Sequence, residues 1–328
     1  MSNMNKIHKV LCVVEPDKNS ETALTQALRI ADNHRADLTF ASSIVASKNL
    51  RTVFKRKSDI DQNLAEAISN KRNDIDGWVR KHSQIRKPDV KIYSGIEFVE
   101  IIKHVIENQY DLVVKCADDV DWLDRLFGSE DMHLLRKCPC PVLLLKPGQR
   151  TEFRNVLATV DVNEEFCEQG NLVQSKLNEK VMEYSAAFSM SEPTSLHIGS
   201  VWEAYGEDFL RYGVFSSMPE EDVDRYVEAE RNECVARLDT LKEKMKSSLG
   251  KDVIDHLRPQ VHMVKGLPAK EIPLMVTKHN IDLLVMGTVA RTGIPGFIIG
   301  NTAESILEQV HCSVLAIKPD EFVSPVEI

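Results

Sequence analysis

The chain repeats itself. Asp111-Leu-Val-Val-Lys115 opens a segment that closes in Cys140-Pro-Val-Leu-Leu-Leu-Lys146-Pro147, and Asp282-Leu-Leu-Val-Met286 opens one that closes in Cys312-Ser-Val-Leu-Ala-Ile-Lys318-Pro319. Gly128 and Gly300 each stand 18 residues before the closing lysine. Gly95 and Gly266 each stand 16 residues before the opening aspartate. A register kept over that length implies duplication of a whole structural unit. The 328 residues exceed one ordinary core and suit two, each of roughly 150 residues.

Each half reads as alternating strands and helices. The first strands, Val10-Leu-Cys-Val-Val14 and Val156-Leu-Ala-Thr-Val160, are short, β-branched and bounded by polar residues, as buried parallel strands are. An acid follows each run, Glu15 and Asp161. Helical patterns come next, over 23–31 and about 177–188, then second strands at 37–45 and 195–202. Long polar helices follow over about 59–82 and 220–249, and third strands at 90–93 and 260–264 precede Gly95 and Gly266. A fourth strand begins at Asp111 and at Asp282, and a helix and a fifth strand close each half. Strands alternating with helices mean parallel βαβ units. The expected fold is α/β: two tandem doubly wound, Rossmann-like domains, each a five-stranded parallel sheet flanked by helices, with ligands at the carboxyl ends of the strands. The polar stretch Pro147-Gly-Gln-Arg-Thr-Glu152 divides domains 1–148 and 152–320 and leaves an irregular tail, 321–328.

Composition narrows the function classes. No apolar run approaches the roughly 20 residues of a membrane span, and Met1-Ser-Asn-Met-Asn-Lys6 lacks a signal peptide's apolar stretch, so the expectation is a cytoplasmic protein. Seven scattered cysteines read as reduced thiols, Cys138-Pro-Cys140 being the only close pair. Residues 1–150 carry 24 Lys+Arg against 21 Asp+Glu, a net of +3, and the remainder carries 17 against 29, a net of −12. No basic stripe with interleaved aromatics appears, which argues against direct nucleic-acid binding.

The second half carries a glycine loop. After Leu283-Leu-Val-Met286 come Gly287-Thr-Val-Ala290-Arg291-Thr-Gly293-Ile-Pro-Gly296-Phe-Ile-Ile-Gly300-Asn301-Thr302-Ala-Glu304. A helix follows with Ala303, Ile306, Leu307 and Val310 on one face, Asn301 as its expected N-cap and Glu304 as the capping-box partner. Backbone N–H groups and the helix dipole favour a phosphate there, Arg291 adds a cation, and no acid stands between Gly287 and Glu304. The bland alternative is a loop that needs glycine only for tight turns. In the first half Cys116 replaces the first glycine, Asp118, Asp119, Asp121 and Asp124 fill the loop, and Glu130 and Asp131 occupy the first helical turn. Acids there satisfy the dipole internally and repel phosphate, so the first domain is expected to bind no nucleotide and to serve as scaffold.

These residues resemble the universal stress protein family, whose nucleotide-binding members carry glycine, two residues, glycine, nine residues, then glycine followed by Ser or Thr. Gly287, two residues, Ala290, nine residues and Gly300-Asn301 keep that spacing. The resemblance covers nearly the whole chain, twice over, and Gly300-Asn-Thr-Ala-Glu304, His133-Leu-Leu-Arg-Lys-Cys138 and Lys265-Gly-Leu-Pro268 are similar to its tandem-domain bacterial members. It implies a cytoplasmic stress-response protein without established catalytic chemistry, whose domains pair through their fifth strands. It also implies Asp161 near a nucleoside and Gly287, Gly300 and Asn301 facing phosphates. The full expected binding set is Asp161, Val201, Gly287, Ala290, Arg291, Gly300, Asn301 and Thr302, for ATP or another nucleotide-containing ligand with Mg. Two departures bear on this: Ala290 brings a Cβ where the family has glycine, and Asn301 replaces a hydroxyl with an amide.

A second feature competes for the same crevice. Trp202, Tyr205, Phe209, Tyr212 and Phe215 put five aromatics into 14 residues of a chain that is 6% aromatic. A segment leaving a strand's carboxyl end lies over the ligand crevice, so Tyr205, Phe209, Tyr212 and Phe215 form a candidate apolar lid. Self-packing or a dimer contact is the alternative. An enzyme needs a base, a metal carboxylate or a phosphate-binding lysine, and no such constellation surrounds the loop, where His279 and His311 read as helix-end histidines. The expectation is therefore a non-catalytic small-molecule-binding protein that forms a homodimer. The alternatives are a ligand-independent scaffold that uses the acidic second half to recruit a basic partner, and a weak nucleotide hydrolase.

Overall fold

The computed structural model describes residues 7–15, 18–44, 57–84, 88–117, 130–150, 152–163, 168–190, 194–213, 218–288 and 300–328. The first half contains β1 (Lys9–Val13), α1 (Lys18–His34), β2 (Asp37–Ile44), α2 (Lys57–His82), β3 (Asp89–Ser94), α3 (Glu97–Asn108), β4 (Leu112–Cys116), α4 (Glu130–Lys137) and β5 (Val142–Leu145). The second contains β6 (Asn155–Thr159), α5 (Glu168–Ser189), β7 (Ser195–Trp202), α6 (Glu207–Tyr212), α7 (Glu220–Leu249), α8 (Lys251–Leu257), β8 (Gln260–Lys265), α9 (Pro268–Lys278), β9 (Leu283–Gly287), α10 (Asn301–Leu307) and β10 (Ser313–Ile317).

Each half forms a five-stranded parallel sheet as expected, and the two halves pair through their fifth strands, as the family resemblance implied. One ten-stranded sheet runs β3-β2-β1-β4-β5-β10-β9-β6-β7-β8. Each half is parallel throughout, and the halves join where β5 and β10 pair antiparallel. Leu143 stands opposite Leu315 in that pairing. These two residues are also counterparts in the duplication, so a local two-fold axis passes between them and the contact is self-complementary. Both strands are buried along their whole length. A terminal strand that apolar would be an aggregation-prone edge if left unpaired, and here each half covers the other's edge within one chain.

Two helical layers sandwich the sheet. Leu24, Ile75, Val181 and Leu238 pack on one face, and Ile101, Leu134, Met275 and Leu307 on the other. Each core runs through both halves. The repeated glycines after β3 and β8 have a shared cause. Gly95 and Gly266 adopt φ +153° and +145°, a region L side chains rarely enter, and a Cβ on Gly266 would lie 3.0 Å from Glu271 Cγ.

The aspartates that open the repeated segments also have a common task. Asp111 Oδ2 accepts the backbone N–H groups of His8 and Lys9, and Asp282 Oδ2 accepts those of Arg154 and Asn155. Each thereby ties the start of its half's first strand to the start of the fourth. The tail 321–328 contains no regular element; it returns to the first half, where Ser324 Oγ donates to the carbonyl of Lys137.

Candidate functional site

The sheet reverses its strand order between β9 and β6, where Thr159 pairs with Met286. This is the switch point at which open parallel sheets bind ligands. Asp161 lies two residues past β6, and Gly287 ends β9. Asp161 is held tightly: its N–H donates to Asn178 Oδ1 at 3.1 Å and its carbonyl accepts from Asn178 Nδ2 at 2.6 Å. Its Oδ1 accepts from Asn163 N and Nδ2 at 3.1 and 2.9 Å, and Asn163 Nδ2 also donates to the carbonyl of Val201. Asn163 thus joins Asp161 to Val201, a link invisible in the spacing of the sequence.

Gly287 is a packing glycine. A Cβ there would stand 2.6 Å from Leu177 Cδ2 of α5. The next residue, Thr288, is fully buried, and its carbonyl accepts the N–H of Gly300 at 3.2 Å. The two ends of the glycine loop are therefore pinched together. Residues 289–299, with Ala290 and Arg291, lie outside the described residues, as does Phe215. Asn301 and Thr302 are exposed beyond the pinch. The capping expectation is corrected here. Asn301 is the first helical residue rather than the N-cap, which is Gly300 at φ −62° and ψ 145° with no side-chain capping bond. Glu304 does not turn back to cap; its Oε1 accepts Arg136 of the first half at 2.7 Å.

The equivalent crevice of the first half is filled by its own charges. Buried Lys115 meets Asp131 at 2.7 Å and Glu97 at 3.7 Å. The repeat places Met286, Ala303 and Pro268 at those three positions in the second half. Glu15, the counterpart of Asp161, accepts Ser42 Oγ and pairs with Lys71. In the second half Ser200, the counterpart of Ser42, has a buried hydroxyl with no hydrogen-bond partner among the described residues. Ion pairs close one crevice, while the other keeps an unanswered polar atom at its wall.

The aromatic segment leaves β7 as α6. Tyr205, Phe209 and Tyr212 are 78%, 66% and 79% exposed, so they do not pack on one another as a self-contained loop would. Ionic ties hold the helix instead. Arg211 pairs with Glu207 at 3.0 Å and with Asp224 of α7, and Lys265 at the end of β8 pairs with Glu207. Lys265 in particular holds the Glu207 carboxyl below its usual range.

The side-chain ties that join the halves were not among the residues the sequence assigned a role. Lys318 is 2% exposed and donates to the carbonyl of Leu135 at 2.7 Å and to Thr288 Oγ1. Burial pushes its pKa down to about 7. Gln149 of the connecting stretch donates to the carbonyl of Asp282 and accepts from Ser313 N and Oγ. The described cysteines are all unpaired with one another by disulfide; Cys138 and Cys140 lie with their sulfurs 3.6 Å apart. None of the described helices is long and apolar enough to cross a membrane.

The sequence profile of the universal stress protein family matches residues 6–146 and again 173–318. The chain belongs to the universal stress protein family. It carries two tandem copies of that family's domain, which supports a role in the stress response. Universal stress protein E of Salmonella typhi is 28% identical over 342 residues, covering 99% of this chain and 98% of that protein. Universal stress protein E of Escherichia coli K12 is 27% identical over 336 residues, with the same coverage. A functionally unknown protein from Pseudomonas aeruginosa PAO1 superposes with a TM-score of 0.66 at 22% identity, covering 97% of this chain and 95% of the other. A universal stress protein from Archaeoglobus fulgidus does so with a TM-score of 0.57 at 16% identity, covering 95% and 96%. These likenesses carry the tandem fold, one domain per half.

Proposed function

We propose that this universal stress protein is a non-catalytic, cytoplasmic ligand-binding protein whose second domain, 152–320, holds a nucleotide or nucleotide conjugate while the first, 1–148, is a scaffold. The observation that carries this reading is the contrast between the crevices. Lys115 pairs with both Asp131 and Glu97 in the first half. Apolar residues stand in their places in the second, and the buried Ser200 hydroxyl on the other face of the sheet has no partner among the described residues. Asp161 and Val201 would face the nucleoside. Gly287, Ala290, Arg291, Gly300, Asn301 and Thr302 would face the phosphates, with Mg where a triphosphate is bound. Exposed backbone N–H groups beside a helix start favour such anions. The outward aromatics Tyr205, Phe209 and Tyr212, with Phe215, suit a ligand that also has an apolar part.

No nucleophile–base pair or carboxylate cluster accompanies this crevice among the described residues, which favours binding over hydrolysis. A homodimer would have to use an edge other than β5 or β10, since those strands are consumed within the chain.

The deciding experiment is native mass spectrometry of the full chain, as purified and after adding ATP with Mg. A retained nucleotide mass, lost from Gly300→Asp but kept by Gly128→Asp, is the expected result. A wild-type protein that carries no nucleotide and shifts with none added would transfer the function to protein recruitment by the acidic second half.

A further inference from the structure

Three histidines of the second domain converge at the far edge of the sheet, away from the glycine loop. Side chains alternate faces along a strand, and two strands that pair in parallel share their faces. In the β7·β8 register Gly199 stands opposite His262, so His197 and His262 are diagonal neighbours on one face. It is the face covered by α9, because a Cβ on Gly199 would meet Met275 of that helix at 3.3 Å. His279 is the residue at which α9 ends, and the helix brings its ring down onto the other two. Ring centroids lie 5.2 Å apart for His197 and His262, 5.1 Å for His197 and His279, and 4.2 Å for His262 and His279.

The donor atoms are arranged as ligands. One ring nitrogen from each histidine lies within 4.8 Å of the others, and His197 Nδ1 is 2.9 Å from His262 Nε2. Tetrahedral zinc with nitrogen ligands separates them by roughly 3.3 Å, so small ring rotations close the site. Among the described residues the buried His197 ring uses Nδ1 toward His262 and has no hydrogen-bond partner at Nε2, so no other polar contact competes with His262 for Nδ1. Burial, with the two neighbouring imidazoles, drives the His197 pKa down to about 4. His262 is lowered by burial first, and then by His279 and Lys278. Neutral imidazole is the form that binds metal. The carboxyl end of α9 also presents the negative end of its dipole to a cation here.

The duplication supplies an internal comparison. Asp37 N donates to the carbonyl of His8, as Ser195 N does to that of Arg154, which aligns β2 with β7. Thr39 pairs with Asp89 where His197 pairs with Gln260, and Gln109 and Asn280 take the same left-handed turn after α3 and α9. Thr39, Lys91 and Asn108 are therefore the counterparts of His197, His262 and His279. Neither packing nor the fold demands histidine at these places, since one copy does without any of the three.

We propose that His197, His262 and His279 form a binding site for a zinc-type divalent transition metal, with solvent as the fourth ligand. Three imidazoles without a thiolate or carboxylate suit Zn(II) and its neighbours Co(II), Ni(II) and Cu(II) rather than Mg(II) or Ca(II). His262 and His279 are only half-buried, so the fourth position opens to solvent. A bound ion would fasten α9 to β7 and to β8, the strand at the sheet's edge.

The test uses the untagged full chain with Zn(II) by equilibrium dialysis and Co(II) by visible absorption. The expected result is one equivalent per chain, d–d bands of a four-coordinate ion, and a Tm that rises with Zn(II). His262→Lys and His279→Asn install residues that the first half already accommodates at those places. Each variant should lose the equivalent, the bands and the Tm rise, while His82→Ala keeps all three. Absence of stoichiometric binding by the wild type, or wild-type binding by either variant, would overturn the site and leave the three rings as packing. Should a variant unfold, a wild-type Tm indifferent to Zn(II) would overturn it equally.

Discussion

The Lys318 amine, at the end of the second half's last strand, caps the helix of the first half by donating to the Leu135 carbonyl at 2.7 Å. The helical partner of that carbonyl would be residue 139, a proline without an N–H. A neutral amine has two hydrogens to donate, and Lys318 faces two acceptors, Leu135 O and Thr288 Oγ1.

The sign of the pH effect follows. Burial lowers the Lys318 pKa from 10.5 to about 7, so between those values the unfolded chain holds a proton that the folded chain lacks. The contribution of Lys318 to stability therefore rises with pH through that window, by up to about 1.4 kcal/mol per unit. Lys318→Met lacks that contribution, and it strands a buried carbonyl at a cost of about 1–3 kcal/mol. Urea unfolding should show the wild type's advantage over Lys318→Met growing as pH is raised from about 7.5 to about 9.5. A constant difference across that range would contradict a depressed lysine.

The first half's charged plug should tolerate removal only as a unit. Lys115→Met leaves Asp131 buried without its cation and should cost about 3–5 kcal/mol. Lys115→Met with Asp131→Ala copies the pair Met286 and Ala303 of the second half and should recover most of that loss. Chemical denaturation of both variants measures it, and a double variant no more stable than the single one would contradict the reading.

Gly287 should resist even one methyl. Gly287→Ala pushes a Cβ to 2.6 Å from Leu177 and should cost about 1–3 kcal/mol by overpacking. Leu177→Ala removes the obstructing atoms, so the two changes together should cost less than their sum. Strict additivity in a double-mutant cycle would mean that the glycine serves something other than this contact.

The ion pair across the halves should couple them. Arg136 and Glu304 are 22% and 15% exposed and meet at 2.7 Å. Arg136→Ala should destabilise the chain by about 1–3 kcal/mol. The cycle with Glu304→Ala should return a coupling of about 1 kcal/mol. A coupling indistinguishable from zero would reduce the pair to surface decoration.

The aromatic segment offers a functional contrast. Phe209→Ser and Phe215→Ser together should weaken retention of a ligand with an apolar part, read by the native-mass experiment, while leaving the fold intact. Unchanged retention in the folded variant would return these side chains to a role in protein contacts.

Hydrophobic period and repeat made the elements legible in the sequence. The strand patterns at 10–14, 156–160 and before each closing lysine lie within a residue or two of the observed strands, because parallel strands buried on both faces leave an unbroken apolar run. The missed cap at Asn301 has a local cause. Glu304 had a competing partner in Arg136, 168 residues away, and a charge-assisted contact with it prevailed over the capping box. Placement was legible where it depends on backbone and chain order: Gly287 ends β9, Asp161 follows β6, and Gly300 opens the helix after the loop. It was illegible where side chains from separate elements converge, as at Asn163 and Ser200.

The sequence by itself determined that this chain is two copies of one α/β unit, and that only the second kept an acid-free glycine loop. Those properties live in local order: period, spacing and the sign of neighbouring charges. The tertiary structure alone decided that the fifth strands pair within one chain, with Leu143 opposite Leu315, and that Lys318 reaches across to Leu135. It alone decided that His197 and His262, 65 residues apart, meet at His279. Register between strands and the landing of a helix end on a sheet face are set by packing summed over both cores, and no short stretch of sequence contains that sum.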